Sequence, residues 1–252
     1  MLASSEWIYW ETLSLMIGTF GIVPLSVHTI PTQIIMMTFI GPYSLGLALS
    51  IRLGATIPVS VSRAKQTVID TFIFSIHVFG AIAILLYIQQ DWLISLFTKS
   101  DAVISGCREI WWKVSIYSFC LSIYGIYMGT CVGLGMQWSL GIGTFIALWI
   151  FGLPSGYYLA VIKDGGINMA WSTVWPPYII LPIALTIAIV RTDWDEIARE
   201  IRQREGVELM ESRRPPSFLT LSSKKSSITN HAIQYRSLLL PSKGDEEQYG
   251  AI

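Results

Sequence analysis

TLSLMIGTFGIVPLSVHTIPTQIIMMTFIGPYSLGLALSI, residues 12–51, contains no charged residue. Rising about 1.5 Å per residue, it would make a helix roughly 60 Å long, twice the roughly 30 Å hydrocarbon core of a bilayer. The stretch therefore reads as two membrane-crossing helices joined by a turn. Proline punctuates helices and is tolerated in a first turn, which puts the turn at Pro24-Leu-Ser-Val-His-Thr-Ile-Pro31. A second uncharged stretch, Val114–Ile162, repeats the argument and turns near Gly133-Leu-Gly-Met-Gln-Trp-Ser139. Further apolar runs near 71–90 and 166–190 complete six predicted spans, at 6–26, 30–51, 68–90, 112–135, 139–162 and 166–190. These runs lack the alternation of membrane β-barrel strands, so the fold class is all-α membrane, with six transmembrane helices over residues 1–191.

Composition agrees. Charged residues are 13% of the chain, against about 25% in a soluble domain, and the mean hydropathy is +0.54. The zero net charge conceals an asymmetry. Residues 1–190 carry seven Lys/Arg and seven Asp/Glu, while 191–252 carry ten of each. Cys107, Cys120 and Cys131 form no CxxC pair and read as small packing residues, neither disulfides nor metal ligands. His28, His77 and His231 have no metal-binding spacing, and neither a GxxxxGK[ST] nor a GxGxxG loop follows a strand-like run. We expect no enzyme activity, no cofactor and no nucleic-acid partner. The start MLASSEW lacks the basic region and cleavage site of a signal peptide.

Loop charges predict the orientation. Arg52, Arg63 and Lys65 follow the second span and a basic tail follows the sixth, so both are expected in the cytoplasm. The opposite loops are mixed (Asp91, Lys99, Asp101, Arg108, Glu109) or sparse (Lys163, Asp164). In the tail, Asp193 is suited to cap a helix with Glu196 three residues on, and Trp194, Ile197, Ala198 and Ile201 share one face. We expect an amphipathic surface helix over 192–206 and a disordered cytoplasmic tail over 207–252, whose basic clusters could touch anionic lipid.

The chemistry concentrates in the first span. Glu6 and Glu11 are its two acids, and no Lys or Arg shares the span. A carboxylate at mid-membrane costs a few kcal/mol, so such residues usually serve a pathway or a pair. Unpaired there, a carboxylate binds either a proton or a cationic substrate, which is what an ion-coupled carrier needs. Both are expected coupling residues. Glu6, close to the chain start, falls either in the pathway or at the headgroup level, and Glu11, deeper in the span, is the one on which the mechanism is expected to rest. Five residues apart, the two lie about 140° apart around a helix. Aromatic side chains recur in the spans: Trp7 and Trp10, then Tyr117, Tyr124 and Tyr127, then Trp171, Trp175 and Tyr178. Facing a cavity, each would attract an organic cation by about 0.5–2 kcal/mol. The sixth-span stripe is expected to serve the membrane interface or packing. Prolines 154, 176, 177 and 182 predict kinked helices.

Four stretches resemble the C-terminal lobe of eukaryotic multidrug and toxic-compound extrusion (MATE) transporters. EWIYWE at 6–11 is similar to the E-W-W-x-[YF]-E run of that family's seventh helix. PYSLGLALSIRLG at 42–54 is similar to P-x-G-x-x-x-A-x-S-x-R-V-G. GTCVGLGMQ at 129–137 with GLPSG at 152–156 resembles G-V-x-R-G-x-G-x-Q and G-L-P-x-G, and RTDWD at 191–195 resembles the end of the twelfth helix. The ordered set covers nearly all of residues 6–195. The resemblance implies one lobe of a twelve-helix antiporter that exports organic cations or other small molecules against a proton or sodium gradient. It puts Glu6 and Glu11 at the coupling positions, and Trp10, Gln33, Tyr124 and Tyr127 on the substrate cavity. Gln33 stands where animal-type members carry a further acid, and Val132 replaces the usual Arg, which leaves coupling ion and substrate charge open. The implied partner is a missing N-terminal lobe or a second copy, in a plasma or vacuolar membrane. The alternative is a non-transporting half-transporter, decayed or regulatory.

Overall fold

The structure is a computed structural model that describes residues 2–212, with side-chain surroundings for 5–204. Every regular element among the described residues is helical. The chain divides into units Met1–Ile201 and Arg202–Ile252; of the second, only the helical stretch 202–212 is described. In order the elements are α1 (Leu2–Gly18), α2 (Ile22–Thr56), α3 (Val61–Ile88), the short α4 (Gln90–Ser95) and α5 (Asp101–Gly133). Then come α6 (Gln137–Phe145), α7 (Leu153–Tyr157), α8 (Gly166–Val174), α9 (Pro177–Arg191) and α10 (Trp194–Ser212). Wide π turns at Ile146–Gly152 and Tyr158–Ile162 join α6 to α7 and extend it, making Gln137–Ile162 one continuous rod.

Among the described residues, five helical stretches are long and apolar enough to cross a membrane: α2, α3, α5, Gln137–Ile162 and Gly166–Arg191. The 17-residue α1 reaches about 25 Å, short of the roughly 30 Å expected of a sixth span. The first turn also moves. It lies at Thr19–Gly21, not at Pro24–Pro31, because Gly21 has φ of +112°, which only glycine adopts without strain. Pro24 instead occupies the first turn of α2, where its missing N–H costs nothing, and Pro31 and Pro42 lie inside that helix. The second expected turn is found, at Leu134–Met136, with Gly135 at φ +74°. The helices also outrun the predicted spans. Arg52, Arg63, Lys65, Arg108 and Glu109, read as loop residues, belong to helices that continue beyond their apolar stretches.

The outer surface is oily, as lipid requires: Leu15, Val59 and Val190 are each at least three-quarters exposed. Inside, α5 is the hub, packing on α2, α3, α8 and α9. Its contact with α2 is backbone against backbone. A Cβ on Gly46 would strike the Gly125 carbonyl, and one on Gly129 would strike Gly46. Small residues serve this purpose in membranes, where close van der Waals packing replaces the hydrophobic drive. Trp111, fully buried, donates its indole N–H to the Leu86 carbonyl at 2.8 Å and fixes α5 to α3. The three cysteines are buried packing residues.

The two ends of the lobe are held differently. At one end Lys113, though 5% exposed, donates to the Asn168 carbonyl oxygen at 2.7 Å and to its side-chain oxygen. Asn168 donates in turn to Glu109, so this network ties α5 to the start of α8. At the other end Asp193 caps α10, accepting from the N–H groups of Asp195 (2.9 Å) and Glu196 (3.1 Å). Trp194 and Ala198 are buried against the bundle, and Lys65 lies 5.6 Å over the Trp194 ring. α10 extends to Ser212, six residues past its expected end at 206; residues 213–252 of the expected disordered tail lie outside the described residues.

Candidate functional site

α1 carries the site because its register turns Glu6, Trp10 and Ser14, four residues apart, toward one side. Facing it, the first half of α2 contributes His28, Gln33 and Met36, and α5 contributes Tyr117 and Met128. Together they enclose a cavity of about 740 Å³ that is mostly apolar with a few convergent polar groups. That is the size and character of a small-molecule site.

Of the residues expected here, Glu6, Glu11, Trp10 and Gln33 line the cavity, and Tyr124 and Tyr127 do not. Tyr124 is a core residue whose hydroxyl bonds the Thr144 hydroxyl at 2.9 Å. Tyr127 turns toward α3 and α9, its ring 4.6 Å from Phe72 and its hydroxyl on Thr186. Tyr117, Leu121 and Met128 line the cavity within about 40° of one another on α5. Tyr127 lies about 80° round on the other side and faces α3 and α9, and Tyr124, two turns along from Tyr117, is taken up by Thr144 of α6.

The enclosure of the two carboxylates is the reverse of that expected. Glu6, expected to be the more solvated of the two, is half-buried, and Tyr178 of α9 donates to its Oε1 at 2.6 Å. Glu11 is exposed at the cavity edge. Depth along the span did not decide enclosure; the side chains that α9 and α5 send to the first turns of α1, Tyr178 and Tyr117, did. Trp149 reinforces that enclosure, donating its indole N–H to the Ser5 carbonyl at 3.2 Å.

Around Glu6 lies an aromatic shell. Tyr178 stands edge-on to Tyr117 (5.1 Å, 81°) and Tyr124 (5.4 Å, 86°). Trp10 packs against Tyr117 at 5.4 Å, stacks on His28 at 6.1 Å and meets Trp171 at 6.4 Å. Trp171 and Tyr178, two members of the sixth-span stripe, are thus packing residues, separated by the break at Trp175–Pro176. His28 was passed over in the sequence for want of ligand spacing. It is buried on the cavity wall, its Nε2 3.1 Å from the Ser14 hydroxyl. Only the pairing of α1 with α2 reveals it. Chemically the site offers two carboxylates, a neutral amide and several π faces, a set that suits a cation. A second, more apolar crease of about 660 Å³ lies between α1 and α7, lined by Leu15, Met16 and Leu153.

Known proteins resemble this chain in sequence and in fold. The chain is 23% identical over 202 residues to multidrug and toxin extrusion protein 2 of Homo sapiens, covering 80% of this chain and 34% of that one. It is 22% identical over 204 residues to multidrug and toxin extrusion protein 2 of Oryctolagus cuniculus, covering 81% and 34%. It is 24% identical over 187 residues to multidrug resistance protein MdtK of Yersinia pseudotuberculosis serotype O:1b (strain IP 31758), covering 73% and 41%. The fold superposes on the crystal structure of the eukaryotic MATE transporter AtDTX14 with a TM-score of 0.74 at 20% identity, over 81% of this chain and 46% of that one. The chain thus spans about a third to two-fifths of the length of these curated relatives, and it corresponds to one lobe of the fold. The MatE family pattern runs through residues 3–158, more than half of the sequence. This multi-pass membrane protein belongs to the MatE family of transporters.

Proposed function

We propose that this lobe carries the coupling site and one wall of the substrate cavity of a secondary antiporter. Such a carrier exports organic cations or other small xenobiotics and metabolites in exchange for protons or sodium. The observation that carries the reading is the Glu6 carboxylate, half-buried in an aromatic-lined cavity and held by Tyr178. Such a group is occupied in turn by the coupling ion and by the positive charge of the substrate. The names of the relatives, multidrug and toxin extrusion and multidrug resistance, support the same substrate class. Trp10 and Gln33 are assigned to the substrate wall, and Glu11 to the cavity mouth, where it attracts cations before they reach Glu6. The lobe works against a second lobe, supplied by an N-terminal half or by another copy, that closes the exposed side of the cavity.

The test is efflux of an organic cation such as ethidium from vesicles under an imposed pH or sodium gradient. Efflux driven by one gradient and abolished when that gradient is collapsed supports the reading and names the ion. Robust efflux from vesicles that hold only monomers of this chain would overturn the two-lobe part of it.

The loop side that carries Arg52, Arg63 and Lys65, together with the tail, is assigned to the cytoplasm. Cysteines introduced at Ser62 and Ser212 are expected to resist an impermeant maleimide added to sealed cells and to react once the cells are opened. Labelling from outside would reverse the topology.

A further inference from the structure

We propose that Tyr178 is the positioning residue of the Glu6 carboxylate, fixing where its acceptor oxygen stands in the cavity. The inference rests on the reading of Glu6 as the coupling group. Tyr178 stands in the first turn of α9, 2% exposed, directly after the break at Trp175–Pro176. The two edge-on contacts with Tyr117 and Tyr124 lock its ring, so the direction of its hydroxyl is set before any ligand arrives. That hydroxyl donates to Glu6 Oε1 at 2.6 Å. Among the described residues none hydrogen-bonds the Glu11 carboxylate, although it lines the same cavity.

The other titratable groups around Glu6 are Tyr9 and Glu11 on α1, His28 on α2, and Tyr117 and Tyr124 on α5. Among the described residues, no lysine or arginine lines the cavity. The Tyr178 hydroxyl is therefore the donor that separates Glu6 from Glu11. A hydrogen bond to a carboxylate favours the ionised form and weakens once a proton is bound. The same bond spans α1 and α9, so the charge on Glu6 is transmitted to the first turn of α9 beside its proline break.

The experiment titrates the full chain in lipid nanodiscs and follows the infrared C=O stretch of protonated carboxyl groups. The Glu6 band is identified by its loss in Glu6→Gln. In Tyr178→Phe the ring packing survives and the donor is lost, so Glu6 should keep its proton to a pH about one unit higher, a tenfold change in proton affinity. Thr130→Ala, which removes a fully buried hydroxyl bonded only to the Ile126 carbonyl, is expected to titrate like the wild type. Should Tyr178→Phe fail to assemble, 3-fluorotyrosine at position 178 provides a stronger donor and is expected to move the midpoint the other way. A wild-type midpoint in whichever Tyr178 variant assembles, or the same shift in Thr130→Ala, overturns the proposal. A shift confined to Tyr178, with ion-coupled efflux preserved in Glu6→Gln, upholds the positioning and removes the coupling reading alone.

Discussion

Gly129→Ala is expected to destabilise the fold by about 3 kcal/mol or more, while Gly54→Ala on the neighbouring helix is neutral or gains up to about 1 kcal/mol. Both replace a helical glycine with the best helix former, so local propensity favours each change. The difference is what the new methyl group meets. At Gly129 it would run into the Gly46 backbone, and at Gly54 nothing lies within 4 Å. Overpacking usually costs less because side chains rotate away. Here the opposing atoms are the main chain of α2, which cannot yield without moving the whole helix. Gly46→Ala meets the Gly125 carbonyl and should behave like Gly129→Ala, and the seam continues at Gly133, whose added Cβ would lie 2.9 Å from Leu53 Cβ. Thermal unfolding of the purified chain in detergent checks the contrast. Equal melting temperatures for Gly129→Ala and Gly54→Ala would mean that α2 and α5 are not in backbone contact.

Glu6→Gln is expected to reduce gradient-driven efflux to background, and Glu11→Gln to slow it several-fold while leaving its pH dependence intact. Glutamine keeps the volume and a hydrogen-bonding oxygen for Tyr178 but holds the site permanently neutral. A neutral site has no differential affinity for a proton or a cation, and an exchanger without differential affinity shifts no equilibrium. Glu11 is exposed at the cavity mouth, so its loss weakens cation attraction without removing the enclosed binding group. This ordering reverses the one read from depth along the span. Efflux from vesicles at several external pH values measures both variants, with surface expression as the folding control. Wild-type coupling in Glu6→Gln alongside loss in Glu11→Gln would return the coupling role to Glu11.

Much of the fold was legible in the sequence. Two uncharged stretches too long for one span dictate two reversals, and one of them was found where glycines and a polar run mark it, at Leu134–Met136. The other was misplaced because proline was given more weight than glycine. In an apolar helix a missing N–H is compensated by neighbouring groups, whereas a positive φ at a residue other than glycine is not. The caps and the apolar face of α10 were likewise readable, since Asp193, Trp194 and Ala198 act over one or two turns.

By itself the sequence determined that the chain is a helical membrane protein, and it supplied the two carboxylates with no basic partner in their span. Those properties follow from the cost of charge and of unpaired backbone groups in hydrocarbon, which is paid residue by residue. The tertiary structure decided which carboxylate is enclosed and which aromatic rings surround it. Glu6 and Tyr178 are 172 positions apart, and their hydrogen bond exists only because α9 restarts after Pro176 with its first turn against α1. No local pattern encodes that meeting. It follows from the packing of α9 on α5, which brings the first turn of α9, with Tyr178, to the side of α1 that carries Glu6.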